Sequence, residues 1–268
     1  MKRWCCGVAL LLAAAAPLAQ TGAAAPPSTH ECALVQALDA SPAFVSDAAE
    51  CAVKTAPAST FKVPHALIAL EAGVVTDPMA LVPWDGTKYP NPAWEQAHSL
   101  DSAMKWSALW FYQRTARLIG RERMLAWLTR FHYGSDAYEG EQTMFWLNGD
   151  LAVSPVEQLD FISRLVRYEL PAQRRHVDAV KAAFTMPAGA ITNAAGTHPF
   201  DLTWPAPLVV RAKTGNATLA GERVSWVVGH IESRGRGYVF VARVRGREVP
   251  SNQAGAELAA RTLNARRP

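Results

Sequence analysis

The sequence predicts an α/β fold of the α+β kind: one antiparallel sheet flanked by helices, with an all-helical lobe inserted over about residues 74–195. Three observations carry this. Two short β-type runs stand near the start, a long middle reads as helices, and three β-rich runs with short links precede a closing helix. Neighbouring runs with short links favour antiparallel pairing, so strands from both ends of the chain can share one sheet, and a cleft where the lobe joins it is the natural place for a site.

Glu31 to Gln36 and Ala43 to Ser46 are the first strands, flanking a turn at Ala40–Ser41–Pro42. Ala58 to Ala72 is a helix, since Phe61, Leu67, Ile68 and Ala72 recur at helical spacing and Gly73 is a stop. Asp77 to Ala97, rich in Pro, Trp and Asn, is a surface loop. Ser102 to Gly120, Arg121 to Arg130, Ser154 to Tyr168 and Arg174 to Thr185 each carry an apolar stripe and read as helices. Leu208 to Thr214, Ser225 to Glu232 and Gly237 to Val244 are strands, with turns at Gly221 and Gly235, and Ala254 to Asn264 is the last helix.

The first residues read as a processing signal rather than as structure. Lys2 and Arg3 precede a run of Ala, Leu and Val from Val8 to Leu18, and small residues follow to Ala25. That is the layout of a secretory signal peptide over 1–25, cut near Ala23 to Ala25. The apolar run is shorter than the ~20 residues a spanning helix needs, so no membrane association is expected after the cut, and the mature chain, 26–268, is expected in the periplasm or outside the cell.

Of 27 basic residues, Lys2 and Arg3 leave with the signal, and 25 remain against 23 acidic ones. That balance gives no reason to expect a nucleic-acid partner; Arg234, Arg236, Arg243, Arg245 and Arg247 read as a solvated hairpin edge without stacking aromatics. The mature chain keeps Cys32 and Cys51, which in an oxidising compartment form a disulfide stapling the N-terminal hairpin or stay as two buried thiols. No metal site is expected, because the seven histidines show no ligand spacing.

A serine hydroxyl is a poor nucleophile until a base takes its proton. Ser59 and Lys62, three apart at a helix start, share a face, and the unpaired N–H groups there place partial positive charge near Ser59. Lysine has a pKa of about 10.4 in water and acts as a base only where burial disfavours its charge. Ser102 and Lys105 repeat the same spacing, so the pair alone is weak; its company raises it, namely Ser107, Tyr133–Gly134–Ser135 at a loop, and Lys213–Thr214–Gly215 ending a strand.

Together, Ser59-Thr60-Phe61-Lys62, Ser107-Ala108-Leu109-Trp110, Phe131-His132-Tyr133-Gly134-Ser135, Phe145-Trp146-Leu147, Lys213-Thr214-Gly215, Trp226-Val227-Val228-Gly229 and the helix from Val153 to Phe161 resemble the class D, oxacillinase-type serine β-lactamases. The resemblance implies the serine β-lactamase and D,D-peptidase-like fold and hydrolysis of penicillins and cephalosporins. Ser59 resembles the acylated serine. Lys62 resembles the lysine that takes up carbon dioxide to become an N6-carboxylysine base, and Trp146 the indole donor that holds the carbamate. Ser107 resembles the residue relaying a proton to the leaving nitrogen. Leu109, Tyr133, Lys213, Thr214, Gly215 and Asn216 resemble substrate-binding positions, with the oxyanion held by the backbone N–H groups of Ser59 and Asn216. No other cofactor is implied; the partner is a small β-lactam, and the assembly a monomer or homodimer.

The chain departs from the family at several points. Leu109 stands for valine, Ser135 for asparagine, Asn216 for an apolar or aromatic residue, and Asn252 for a carboxylate-pairing arginine that Arg245 or Arg247 would have to replace. Two other activities share the same residues: a peptidoglycan D,D-peptidase, and a β-lactam sensor that acylates once and signals. A degenerate, inactive relative is a further alternative.

Overall fold

The computed structural model describes Met1 and residues 29–39, 43–135 and 138–267. The rest of the expected signal segment, its cut, and the turn at Ala40–Ser41–Pro42 lie outside the described residues.

Five strands form one antiparallel sheet: β1 (Thr29–Ala37), β2 (Phe44–Val45), β5 (Leu208–Leu219), β6 (Glu222–Ser233) and β7 (Arg236–Gly246), in the order β2-β1-β7-β6-β5. The N-terminal strand therefore pairs with the last one, Cys32 opposite Arg243 and Leu34 opposite Val241. β6 and β7 are buried on both faces, which explains their near-continuous runs of Val, Ile and Phe. One face packs α8 (Ala254–Asn264), with Leu258, Ala259 and Leu263 against Ala242 and Val244. The other carries the larger core with the helices.

Between the two blocks of strands lie α1 (Ala48–Ala52), a 3-10 turn at Ala58–Phe61, α2 (Lys62–Glu71), α3 (Leu100–Lys105), α4 (Leu109–Ile119), α5 (Arg121–Phe131), α6 (Pro155–Arg167) and α7 (Arg174–Ala183). α2 is buried from Lys62 through Leu70; a helix apolar all round belongs in a core, and Lys62 and His65 are the only polar residues of that buried stretch. Pro64 falls in its first turn, where backbone N–H groups lack helical partners anyway. α6 packs on β7, β6 and β1, so part of the expected helical lobe also floors the sheet.

Several expectations change. The helix expected over 102–120 is two helices, broken at Trp106–Ala108, with Ser107 in left-handed backbone at φ 57°. β5 runs on to Leu219, so Lys213–Gly215 lies inside a strand rather than at its end. A hairpin of β3 (Ala190–Asn193) and β4 (Gly196–Pro199) was not anticipated. The disulfide Cys32–Cys51 is formed, but it joins β1 to α1 rather than closing the hairpin. Arg243 is not at a solvated edge. It is fully buried, donating to the Glu50 carboxylate and to the Glu50 and Val53 carbonyls, with Trp226 5.1 Å beneath it. Among the described residues no helix is long and apolar enough to cross a membrane.

Candidate active site

The segment before α2 is fixed from three sides. Thr55 exchanges backbone bonds with Val153 at 3.0 and 2.9 Å, the Trp226 indole donates to Ala56 O at 3.0 Å, and Ala58 N–H donates to Trp146 O at 2.9 Å. The chain then turns through Ala58, at φ 51°, into the 3-10 turn that presents Ser59. Ser59 Oγ and Lys62 Nζ stand 2.9 Å apart.

Lys62 is almost wholly buried, with Nζ 5.2 Å from the centre of the Tyr112 ring. Burial first, and the Lys213 ammonium second, hold its pKa well below the ordinary lysine value. Trp146 is fully buried, stacked on Phe61 at 5.7 Å, and its indole N–H meets no acceptor. A buried donor without a partner costs free energy, and an oxygen acceptor brought within reach would relieve that cost. His65, one turn on, packs edge-on to Trp146 at 5.6 Å and lies 3.1 Å from Thr115 Oγ1; burial drives its pKa down to about 3, so the ring is neutral.

β5 supplies the other side. A Cβ on Gly215 would stand 2.9 Å from Pro57 O and Thr60 N and 3.0 Å from Ser59 N, so only glycine lets the strand approach the turn this closely. β5 is an edge strand, and Ala212 N–H leaves that edge to reach Phe184 O at 2.9 Å. Backbone N–H groups alternate along a strand, so those of Thr214 and Asn216 point out of the same edge, beside Ser59.

A cleft of about 300 Å³ opens here, lined by Ser59, Lys62, Ser107, Leu109, Thr214, Gly215 and Asn216. These seven expected residues meet, although they come from three parts of the chain. The Ser107 break serves this: with α3 and α4 turned apart, its side chain lines the cleft instead of running on along a helix. Trp94, Leu147, the β3–β4 turn and Asn252–Gln253 complete the walls. Asn91 Nδ2 donates to Ala194 O at 2.5 Å, linking the loop before α3 to that turn.

Three expected residues do not line the cleft. Trp146 is fully buried, packed on Phe61 and His65. Lys213 is buried and donates to Thr214 O at 3.0 Å; burial lowers its pKa to about 7, and it bears on the cleft through its charge on Lys62. Tyr133 is corrected outright as a substrate contact. It lies in the core against Phe61 and Phe161, and its hydroxyl donates to Gln158 Oε1 at 3.0 Å. Gln158 Nε2 donates to Thr60 Oγ1 at 2.7 Å, and Thr60 to Pro57 O at 2.6 Å, so Tyr133 braces the Ser59 turn from behind. Ser135 N–H donates to Ala152 O at 3.1 Å, tying that loop to the segment before α6.

Neither proposed stand-in for the missing arginine reaches the cleft: Arg245 is held by Glu50, and Arg247 is exposed away from it. Sequence reading passed over Arg223, which donates to Asn252 Oδ1 at 3.0 Å. The rival pair is a cap. Ser102 forms a capping box with Ser99 at the start of α3 and contacts His98, 3.0 Å from its Nδ1.

Comparison with known proteins agrees with this geometry. Residues 33–265 match the family model of the penicillin binding protein transpeptidase domain. A probable β-lactamase, YbxI of Bacillus subtilis, is 35% identical over 75% of this chain and 69% of its own length. A class D β-lactamase structure from Nostoc superposes with a TM-score of 0.77 at 30% identity, covering 88% of this chain and 93% of that one. The chain belongs to the class D β-lactamase family. Within that family's wider circle, the regulatory protein BlaR1 of Bacillus licheniformis is 30% identical over 80% of this chain, which spans only 33% of BlaR1. Family membership thus covers hydrolases and a regulatory protein alike.

Proposed function

We propose that the protein is a serine β-lactamase that opens the lactam amide through an acyl-enzyme on Ser59. The observation that carries this is the 2.9 Å pairing of Ser59 Oγ with a lysine amine buried so deeply that its proton is disfavoured. The neutral amine takes the hydroxyl proton as Oγ adds to the lactam carbonyl. Charge developing on the carbonyl oxygen falls between the N–H groups of Ser59 and Asn216, already aimed and needing no reorganisation. When the C–N bond breaks, Ser107 passes a proton to the leaving nitrogen. Water then cleaves the ester, regenerating Ser59.

The residues also fit a carbamate on Lys62: the amine is neutral as that reaction requires, and Trp146 Nε1 would hold an added oxygen. Such a group supplies a carboxylate-like base for the deacylating water. An oxidising, extracytoplasmic location accords with the Cys32–Cys51 bond.

One observation favours a sensor reading as well: Leu109, bulkier than valine, lines the same cleft as Lys62, where the larger side chain would hinder a deacylating water. Intact mass after brief penicillin exposure separates the two. A Ser59 adduct that decays within seconds to minutes supports hydrolysis; one that persists for hours supports single-use sensing. Ser59→Ala should abolish the adduct, and labelling that maps to Ser102 instead overturns the assignment.

A further inference from the structure

Directly opposite residues on paired strands point their side chains to the same face. One such row crosses four strands of the sheet: Cys32 on β1 stands opposite Arg243 on β7, Arg243 opposite Trp226 on β6, and Trp226 opposite Gly215 on β5. The chain from Glu50 to Thr60 runs along that row and meets its members in turn. Cys51 is bonded to Cys32. Arg243 Nη2 donates to the Glu50 carboxylate and, at 2.8 Å, to Glu50 O, while Nη1 donates to Val53 O at 2.6 Å. Trp226 Nε1 donates to Ala56 O at 3.0 Å, and Gly215 abuts Pro57 O and Ser59 N. Residues 53–57, which join α1 to the turn bearing Ser59, belong to no helix or named strand and hold one isolated bridge, from Thr55 to Val153. Their path therefore depends on what their buried carbonyls meet. Arg243 has the longest reach of the row: its guanidinium forks between Glu50 and Val53. Its buried charge is balanced by Glu50, which Arg245 also grips at 2.7 Å on each carboxylate oxygen.

We propose that Arg243 is a positioning residue for the nucleophile: by spanning Glu50 and Val53 O it sets residues 53–57 along the row, and with them the place of Ser59 against Gly215 and Lys62. This rests on the reading of Ser59 as the acylated residue. It goes beyond that reading in giving a part in acylation to a buried side chain that lines no wall of the cleft.

The test follows labelling of Ser59 over a range of concentrations of a fluorescent penicillin, which gives a limiting rate and a half-saturating concentration. It is repeated with a p-nitrophenyl phosphonate ester, in which Oγ bonds to phosphorus and nitrophenolate leaves. Arg243→Met fills the space without donors and leaves Glu50 paired with Arg245. The limiting rate should fall about tenfold or more with both probes, as for a displaced reacting group, while the half-saturating concentration stays within about threefold. Arg243→Lys keeps a charge beside Glu50, but one ammonium lacks the fork that spans both carbonyls, so its limiting rate should stay about threefold low or worse. Leu263→Ala, in the core under the other face of the sheet, supplies a comparable loss of melting temperature and should leave the limiting rate unchanged. A wild-type limiting rate in either arginine variant overturns the proposal, and so does equal slowing in Leu263→Ala. Wild-type labelling by the phosphonate alone removes the β-lactam reading and leaves the phosphonate rates to decide Arg243; labelling by neither probe removes both.

Discussion

Replacing Gly215 by alanine should damage acylation more than stability. The added Cβ lands 2.9, 2.9 and 3.0 Å from three backbone atoms of the Ser59 turn, where ordinary contact begins near ~3.5 Å. Backbone cannot rotate away as a side chain can, so β5 and the turn must part by about half an ångström. Overpacking of this kind costs about 1–3 kcal/mol of stability, a melting shift of roughly 2–10 °C for a chain this size. The Asn216 N–H rides on the displaced strand while the Ser59 N–H does not. Misplacement on the ångström scale costs roughly 10²-fold, and loss of one oxyanion donor roughly 10²–10³-fold. The acylation rate with a fluorescent penicillin should therefore drop at least 30-fold, by about 2 kcal/mol, in protein that still melts cooperatively. Acylation within twofold of wild type would refute the claim that this contact sets the oxyanion geometry.

Gln158→Leu should destabilise the fold by about 2–4 kcal/mol, since it orphans the buried Tyr133 hydroxyl and removes the donor to Thr60; urea unfolding measures this. Serine at Cys32 and Cys51 should cost about 3 kcal/mol by the same assay, loop closure over 19 residues being the main term. Lys62→Ala should fold yet acylate slowly and fail to release whatever acyl group forms, read by mass spectrometry, and bicarbonate should raise wild-type turnover. His65, held to a pKa of about 3 by burial, takes up its proton only in the unfolded chain as pH falls from about 6.5. Stability is then full above that pH and declines toward pH 3, by as much as ~4 kcal/mol from this one group. His65→Gln should flatten the decline in denaturant titrations between pH 4 and 7; an identical slope would remove His65 as its source.

How much of this was readable in the sequence follows from how local each cause is. Ser59 and Lys62 are one helical turn apart, and Thr214 to Asn216 are consecutive on a strand, so periodicity alone keeps each set together. Ser107 could be named but not placed, because the break at Trp106–Ala108 carries no proline or glycine; the apolar stripe runs through it. Tyr133 was misplaced because an aromatic at a helix end looks the same whether it faces a cleft or the core, and Gln158, which settles the matter, lies 25 residues on. Arg243 shows the same blindness at longer range. Its partner Glu50 is 193 residues away, and without it five arginines near a hairpin read as a wet edge. The β3–β4 hairpin escaped notice because its two-residue turn is Ala194–Ala195, not the usual Asn-Gly pair.

The bond from Asn91 to Ala194 has a consequence for traffic. It ties two loops 103 residues apart, and Trp94 and Ala194 of those loops both line the cleft, so the bond fixes the spacing of two walls and with it the breadth of substituent that fits between them. A single bond of this sort contributes only about 0.5–1.5 kcal/mol net. Cutting it with Asn91→Ala should widen the range of sizes admitted while leaving the Ser59–Lys62 pair in place.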